Sequence, residues 1–344
     1  MNAVPGGAVY FLVPEGVDDP LRVSGGNVFD RRVAAGLSAI GWDVREIVAG
    51  SAESVMQALA DVPDGAIALI DGLVAGRASA AIEGSAERLR IVVLAHMISA
   101  AFPEADPHLI EGEHRALRAA ARVIVTSSWT RDELVGRELI PPEQITIALP
   151  GADRAEVGAG TRGGCALLCV GVVAPHKGQD ILIEALAGLR ATPTWRCTIV
   201  GSAAADPTFA AQLAERVDDL GIADRITMAG VLGASDLDAA YRGTDLLVAP
   251  SRTESYGMAI ADALGRGIPV VASRVGGIPL TVAPGRSAVL VPPEPWALSR
   301  ALDRWMLDAG LRTRLKDEAL AARDSLPRWS DTVERVAETL GGLR

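Results

Sequence analysis

The chain has 344 residues, enough for two α/β domains of ordinary size, and at 49% hydrophobic and 22% charged it can bury a large core. With 33 Lys and Arg against 43 Asp and Glu the net charge is −10, which excludes a basic footprint for nucleic acid and argues against charge-driven adhesion to anionic lipid. Aromatic residues are only 4%, and the small and branched side chains that remain suit parallel strands covered on both faces by helices.

In chain order, apolar β-type runs alternate with helix-period segments, the pattern of parallel sheets. The first half predicts strands at Ala8–Val13, Val44–Val48, Ile67–Ile70, Ile91–Leu94, Val123–Thr126 and Ile145–Ala148, with amphipathic helices such as Gly26–Ile40 and Leu109–Ala121 between them. Residues Gly151 to Gly164 are rich in Gly and Ala and lack periodicity, so they read as a linker. The alternation restarts with strands at Ala166–Val173, Cys197–Gly201, Ile226–Ala229, Asp245–Ala249, Pro269–Ala272 and Ala288–Val291. A final amphipathic helix is expected over Trp329–Leu340. The expected organisation is an N-terminal domain over 1–153, a linker over 154–164, a second domain over 165–326, and a C-terminal helix over 327–344 that packs back on the first domain. Each domain is a doubly wound, Rossmann-like α/β unit, with a cleft between the two. Ligands of such sheets bind beyond the carboxyl ends of the strands.

Cys165, Cys169 and Cys197 sit in apolar strand-like stretches, and the CxxxC pair has no partner pair to complete a zinc set, so they read as buried reduced thiols. No Lys or Arg precedes Arg22, the apolar run Ala8–Val13 is too short for a signal sequence, and no run approaches the ~18 residues of a spanning helix. A cytoplasmic protein with no transmembrane segment is expected.

The most informative stretch runs from Pro250 to Asp262. It follows a buried strand and opens a helix near Tyr256 to Met258, where free amides suit a phosphate or a sugar oxygen. Gly257 allows close approach, and Glu254 can accept hydrogen bonds from hydroxyls. An acidic, solvent-facing helix start is the plain alternative. Lys177, before Gly178, could stabilise charge on a leaving diphosphate, although a lone Lys before Gly is more often a solvated helix start. Gly25 and Gly26 could admit a phosphate or be an ordinary turn. His96 follows a strand and should emerge at its carboxyl end, although a single His beside apolar residues is more often packed. His108 and His114 lack the i, i+4 spacing of a helical metal pair. Gly201 with Ser202, and Gly230, end strands. Asp71 ends another and could face an acceptor.

Thr253-Glu254-Ser255-Tyr256-Gly257 followed by Asp262 and the run to Ala272 resembles the acidic signature of retaining glycosyltransferases of family 4, which have the GT-B fold. Val275-Gly276-Gly277-Ile278-Pro279, Val170-Gly171 through His176-Lys177-Gly178, Leu149 to Asp153, Ser24-Gly25-Gly26-Asn27 and His96 to Pro103 resemble other segments of that family, in the right order over essentially the whole chain. The resemblance implies transfer of a hexosyl group from a UDP- or GDP-linked donor to an acceptor hydroxyl with retained configuration, and a compact N-terminal domain without a basic amphipathic helix favours a small soluble acceptor over membrane lipid. A donor phosphate oxygen would take the acceptor's proton, and neither cofactor nor metal is implied. His96, Lys177 and Glu254 are the implied catalytic residues. Gly25, Gly26, Val172, Gly201, Ser202, Met228, Gly230, Val231, Ser255, Tyr256, Gly257, Met258 and Asp262 are the implied donor contacts, with Asp71 and Asn27 on the acceptor side. The sequence departs from the family pattern in two places. Asp262 stands where Glu is usual, and Val172 where Arg is frequent, which leaves His176 as the nearest substitute for the missing cation. A nucleotide-sugar epimerase, or a binding protein of the same fold that has lost turnover, are the competing readings. An NAD-dependent dehydrogenase fails for want of GxGxxG after the first strand.

Overall fold

The computed structural model describes residues 7–102, 105–161, 163–189, 195–282 and 287–344. Pro103, which closes the loop that begins at His96, lies outside them. The chain divides into two compact units. Unit 1 holds the described residues through Asp18, Gly26–Gly151 and Pro327–Arg344, and unit 2 holds Asp19–Gly25 and Ala152–Leu326.

Unit 1 is built on six strands, β1 (Ala8–Val13), β2 (Asp43–Val48), β3 (Ile67–Asp71), β4 (Arg90–Ala95), β5 (Arg122–Val125) and β6 (Ile145–Ile147), paired in the order β2-β1-β3-β4-β5-β6. Every pairing is parallel. All five residues of β3 are buried, and so are all of β4 after Arg90, as helices on both faces require of a central parallel strand. One face is covered by the helix Gly25–Ala39, whose buried positions Phe29, Val33, Ala34 and Leu37 fall on one stripe. The C-terminal helix Trp329–Gly341 joins the same cluster through Val333, Val336 and Leu340. Trp329 meets the Phe29 ring edge-on at 5.8 Å between centroids, and the Thr332 hydroxyl donates to the Leu149 carbonyl at 2.6 Å.

Unit 2 repeats the plan with β7 (Ala166–Val170), β8 (Arg196–Val200), β9 (Ile226–Gly230), β10 (Leu246–Ala249), β11 (Val270–Ser273) and β12 (Ala288–Val291), in the order β12-β11-β10-β7-β8-β9. These strands are also parallel throughout. The doubly wound α/β class expected from the alternation is therefore what both units show. β7 is shorter than the apolar run predicts. Regular pairing ends at Val170, although the Gly171 and Val173 amides still donate to the Val200 and Ser202 carbonyls at 2.9 and 2.8 Å, and the Val173 side chain is buried in the core.

The Gly- and Ala-rich segment after Gly151 lies along unit 2. Gly158 and Gly160 donate their amides to the Arg266 and Arg242 carbonyls at 2.9 and 3.1 Å, and Thr161 donates its amide to the Asp245 carboxylate at 2.6 Å. A segment without periodicity can still be ordered when its backbone groups find partners outside regular structure.

Leu340 is fully buried among residues of β1 and the first helix. Leu340→Ala should cost unit 1 about 2–5 kcal/mol. Thermal or denaturant unfolding followed by circular dichroism should show an early transition for one unit and leave the other in place.

Candidate functional site

In unit 1 the strand ends gather two buried carboxylates around an imidazole. Asp71 is the last residue of β3 and caps the helix Gly72–Arg77, its Oδ1 accepting the Leu73 and Val74 amides at 2.8 and 3.2 Å. A Cβ on Gly72 would stand 3.2 Å from the Leu94 carbonyl, so glycine lets this turn press against the end of β4. His96 follows β4. Its Nε2 lies 2.9 Å from Asp30 Oδ1 and 3.3 Å from Asp71 Oδ2. Asp30 and Asp71 are 1% and 2% exposed. The Phe29 ring meets the imidazole edge-on, and a Cβ on Gly26 would lie 3.3 Å from its Cδ2.

Burial by itself pushes the His96 imidazole down, but the charge and hydrogen bond of Asp30, and then those of Asp71, outweigh it and lift it to about 10. His96 is thus an imidazolium at neutral pH, and it donates. Burial raises the Asp30 carboxyl against the lowering pull of His96, and Asp30 Oδ2 has no hydrogen-bond partner. Asp30, Asp71 and His96 present three donor atoms within 4.8 Å of one another, a set that could hold a metal ion only once Nε2 has given up its proton. Asn27 Nδ2 points to the Gly16 carbonyl at 3.5 Å.

In unit 2 the corresponding strand ends bring Lys177 and Glu254 together. Lys177 Nζ lies 2.6 Å from Glu254 Oε2, with the two side chains 23% and 14% exposed. Lys177 closes a short turn after β7, and Glu254 sits in the loop after β10. Because β7 and β10 are hydrogen-bonded neighbours, residues 77 apart meet. The loop that carries Glu254 is held from behind. The Gly277 amide donates to the Glu254 carbonyl at 2.9 Å, and a Cβ on Gly276, whose φ is 53°, would fall 1.9 Å from that same oxygen. The two glycines of the Val275–Pro279 motif therefore seat the acidic loop.

Ser255 and Tyr256 follow Glu254, both buried, and Gly257 is the left-handed N-cap of the helix Met258–Gly265, with no side chain capping the first amides. The Tyr256 ring packs with Ala152 and Ala261, and its carbonyl accepts from the Thr281 hydroxyl at 2.5 Å. Asp262 lies one turn further on, where its charge helps raise the hydroxyls of Tyr241 and Tyr256 after burial has done most of it. Glu254 is thus joined to Lys177, whereas Asp262 is set beside two tyrosines. Val172 follows β7, and its carbonyl accepts from Gln179 Nε2 at 2.9 Å. Burial and the Lys177 charge push His176 down to about 4, so it is neutral and does not replace a cation near Val172. Gly201 and Gly230 meet directly, the Gly201 amide donating to the Gly230 carbonyl at 2.8 Å. Met228 is 39% exposed on the edge strand β9, and Val231 follows it half-buried. Gly25 lies against Met258. Ser202 is buried, its hydroxyl bonded to the Leu21 carbonyl.

Residues 163–321, which contain the Lys177–Glu254 pair and both glycine turns, match the model of the family described as glycosyl transferases group 1. This segment belongs to that family. Among curated relatives, the D-inositol 3-phosphate glycosyltransferase of Acidothermus cellulolyticus is 32% identical over 266 residues, 71% of this chain and 59% of that protein. Its namesake from Segniliparus rotundus is 31% identical over 248 residues, 67% of this chain and 54% of that protein. The chain spans between half and three-fifths of the length of these group 1 relatives. Among solved structures, sucrose-phosphate synthase from Thermosynechococcus elongatus superposes with a TM-score of 0.79 at 20% identity, over 98% of both chains. HepE from Anabaena, in complex with UDP and glucose, gives 0.78 at 19% identity, over 97% of this chain and 99% of that one. At these identities the structures establish the fold, the GT-B fold of group 1 enzymes.

Sequence reasoning missed Asp30 and Glu113. Asp30 stands on the apolar stripe of its helix with Val33, Ala34 and Leu37, and Glu113 on that of Pro107–Ala119 with Ala116 and Leu117. A carboxylate on a buried stripe was the signal available. Burial lifts Glu113 to about 7 against the opposing bond from the Ser99 amide, which anchors the loop after His96 at 2.8 Å.

Since His96 is raised from 6.5 to about 10, its proton stabilises unit 1 fully below pH 6.5, and that contribution is lost as pH rises through about 10. An NMR titration should show the His96 ring still protonated at pH 8. Asp71→Asn should bring its titration down towards neutrality, and a wild-type midpoint near 6.5 would refute the charged trio.

Proposed function

We propose that this chain is a glycosyltransferase that moves a hexosyl group from a UDP- or GDP-linked donor to a hydroxyl of a small soluble acceptor, with retained configuration and without a metal. The observation that carries the reading is the Lys177–Glu254 pair at the carboxyl ends of β7 and β10, inside the segment that matches the family. As the glycosidic bond breaks, the diphosphate gains negative charge, and the Lys177 ammonium can turn from Glu254 to that charge. The uncapped amides at the start of the helix Met258–Gly265 add a second source of positive potential. Gly201, Ser202, Gly230 and Val231 would line the nucleotide, and Met228 its base. Glu254 would orient sugar hydroxyls, and Asp262 would approach the ribose.

His96, as an imidazolium, would donate to a sugar hydroxyl rather than act as a base, with Asp71 and Asn27 towards the acceptor. Retention follows if the acceptor hydroxyl enters on the face the diphosphate leaves and passes its proton to a donor phosphate oxygen. No protein nucleophile is then required. HepE's complex with UDP and glucose favours uridine as the first base to test, and the relatives' name makes an inositol phosphate the first acceptor. No helix among the described residues is long and apolar enough to cross a membrane, and Cys165, Cys169 and Cys197 are not joined in disulfides. Use of a nucleotide-sugar and reduced thiols fit a cytoplasmic setting.

Lys177→Ala should lower turnover about 10²- to 10³-fold with the best donor found in a panel assay. Unchanged turnover would remove Lys177 from the mechanism. Conversion of the donor with no acceptor present would point instead to an epimerase, and nucleotide binding without sugar release across the panel to a binding protein. Turnover should also survive a chelator at millimolar concentration, and its loss with recovery on added divalent metal would overturn metal independence.

A further inference from the structure

The end of the unit 2 sheet opposite the Lys177–Glu254 pair carries a cavity of about 150 Å³. β10 lies between β7 and β11 and runs parallel to both, so Gly164, Asp245 and Pro269, which precede the three strands, meet at one edge of the sheet. Lys177 and Glu254 follow the other ends of β7 and β10, and a strand as long as β7 spans roughly 16 Å. The facing wall comes from Trp305 of the helix Pro295–Leu307 and from Arg312 and Lys316 of the helix Ala309–Ala322.

The wall is held in place by its own hydrogen bonds. The Trp305 indole, 3% exposed, donates to the Gly164 carbonyl at 2.7 Å. Arg312 Nη1 donates to the Trp305 and Met306 carbonyls, both at 2.8 Å, in the last turn of the preceding helix, which fixes the guanidinium. At Gly164, whose φ is 71°, a Cβ would stand 2.6 Å from Arg312 Cδ and 2.9 Å from its Nε, so glycine is what lets the arginine lie against the start of β7. Lys316 comes one turn later on the same helix face.

The hydrogen bonds already made around the cavity decide what it can take. The hydroxyls of Thr161, Thr244 and Thr313 all donate to protein acceptors, as the indole does. The Asp245 carboxylate accepts the Thr161 amide, the Thr161 hydroxyl and the Ala166 amide at 2.6, 2.5 and 2.9 Å. Among the described residues, the lining side-chain donors left over are Nε and Nη2 of Arg312 and the Lys316 ammonium. Two cations thus stand beside one carboxylate whose oxygens are turned to the chain, and a ligand has to bring negative charge and several acceptors. The volume suits a molecule about the size of benzene and falls well below the roughly 300 Å³ at which ordinary ligand pockets begin, which excludes a nucleotide.

We propose that this cavity binds a small tetrahedral oxyanion, inorganic phosphate or the phosphate group of a small monoester, between Arg312 and Lys316. The site lies away from the strand ends that carry Lys177 and Glu254, and it does not rest on the nucleotide-sugar reading.

Calorimetry and NMR on the full chain at fixed ionic strength, with inorganic phosphate and with glycerol phosphate, test this. The wild type should bind one equivalent, and the assigned Trp305 indole N–H resonance should shift as phosphate is added. Lys316→Gln should weaken phosphate about three- to fivefold and Lys316→Glu about tenfold, whereas Lys316→Arg should stay within about twofold of the wild type. Lys316 is exposed, so none of these should move the unfolding midpoint measured without phosphate. Lys177→Ala should leave phosphate binding as it is. Tighter binding of glycerol phosphate supports an ester as the ligand, and tighter binding of inorganic phosphate supports the free ion. Phosphate that is lost in Lys177→Ala but kept in Lys316→Glu sits at the other end of the sheet and overturns the proposal. So does a wild type that shows no saturable binding, or a Trp305 resonance that does not respond.

Discussion

Parallel pairing of β7 with β10 is the constraint on which the site in unit 2 depends. It sets the loops after these two strands side by side, and so Lys177 and Glu254, distant in sequence, meet at 2.6 Å. A partly buried ammonium needs a counter-charge when no ligand is present, and a partly buried carboxylate needs a donor. The pair answers both needs. It also keeps each group oriented for a ligand that could replace the partner, which a solvated lysine would not be.

Unit 1 handles charge differently. Its two carboxylates, one at the end of β3 and one within the first helix, are almost wholly buried, and one imidazole serves both. Such a trio holds its proton tightly, because releasing it would leave two like charges in a medium of low dielectric. The consequence for chemistry is directional. A histidine that would be a base near neutrality becomes a fixed cationic donor, and a metal would have to displace that proton to bind.

Several features were legible before any coordinates. The alternation of apolar runs gave both sheets, and strand ends were placed within a few residues. The largest difference is at β7, whose regular pairing ends at Val170 while the apolar run continues to Val173. The turns at Lys177 and Glu254 were legible as motifs, as was His96 at the end of its strand. The cation lost at Val172 was not recovered from His176, because burial beside Lys177 keeps that imidazole neutral. That the Tyr256 ring packs with Ala152 and Ala261 was not legible in the motif, because Ala152 lies about a hundred residues away in sequence. Asp30 left a faint trace as an acid on an apolar stripe, with nothing to say what it would meet.

By itself the sequence determined the elements, their parallel arrangement, and the glycine turns where backbone must approach closely, since these follow from local periodicity and steric limits. Only tertiary structure decided which charges share an environment. Proton affinity depends on neighbours a few ångströms away and on burial, and those neighbours come from other strands and helices: Asp30 from a helix 66 residues before His96, Glu254 from a loop 77 residues after Lys177. Strand order, too, emerged only on folding, and it sets β7 beside β10.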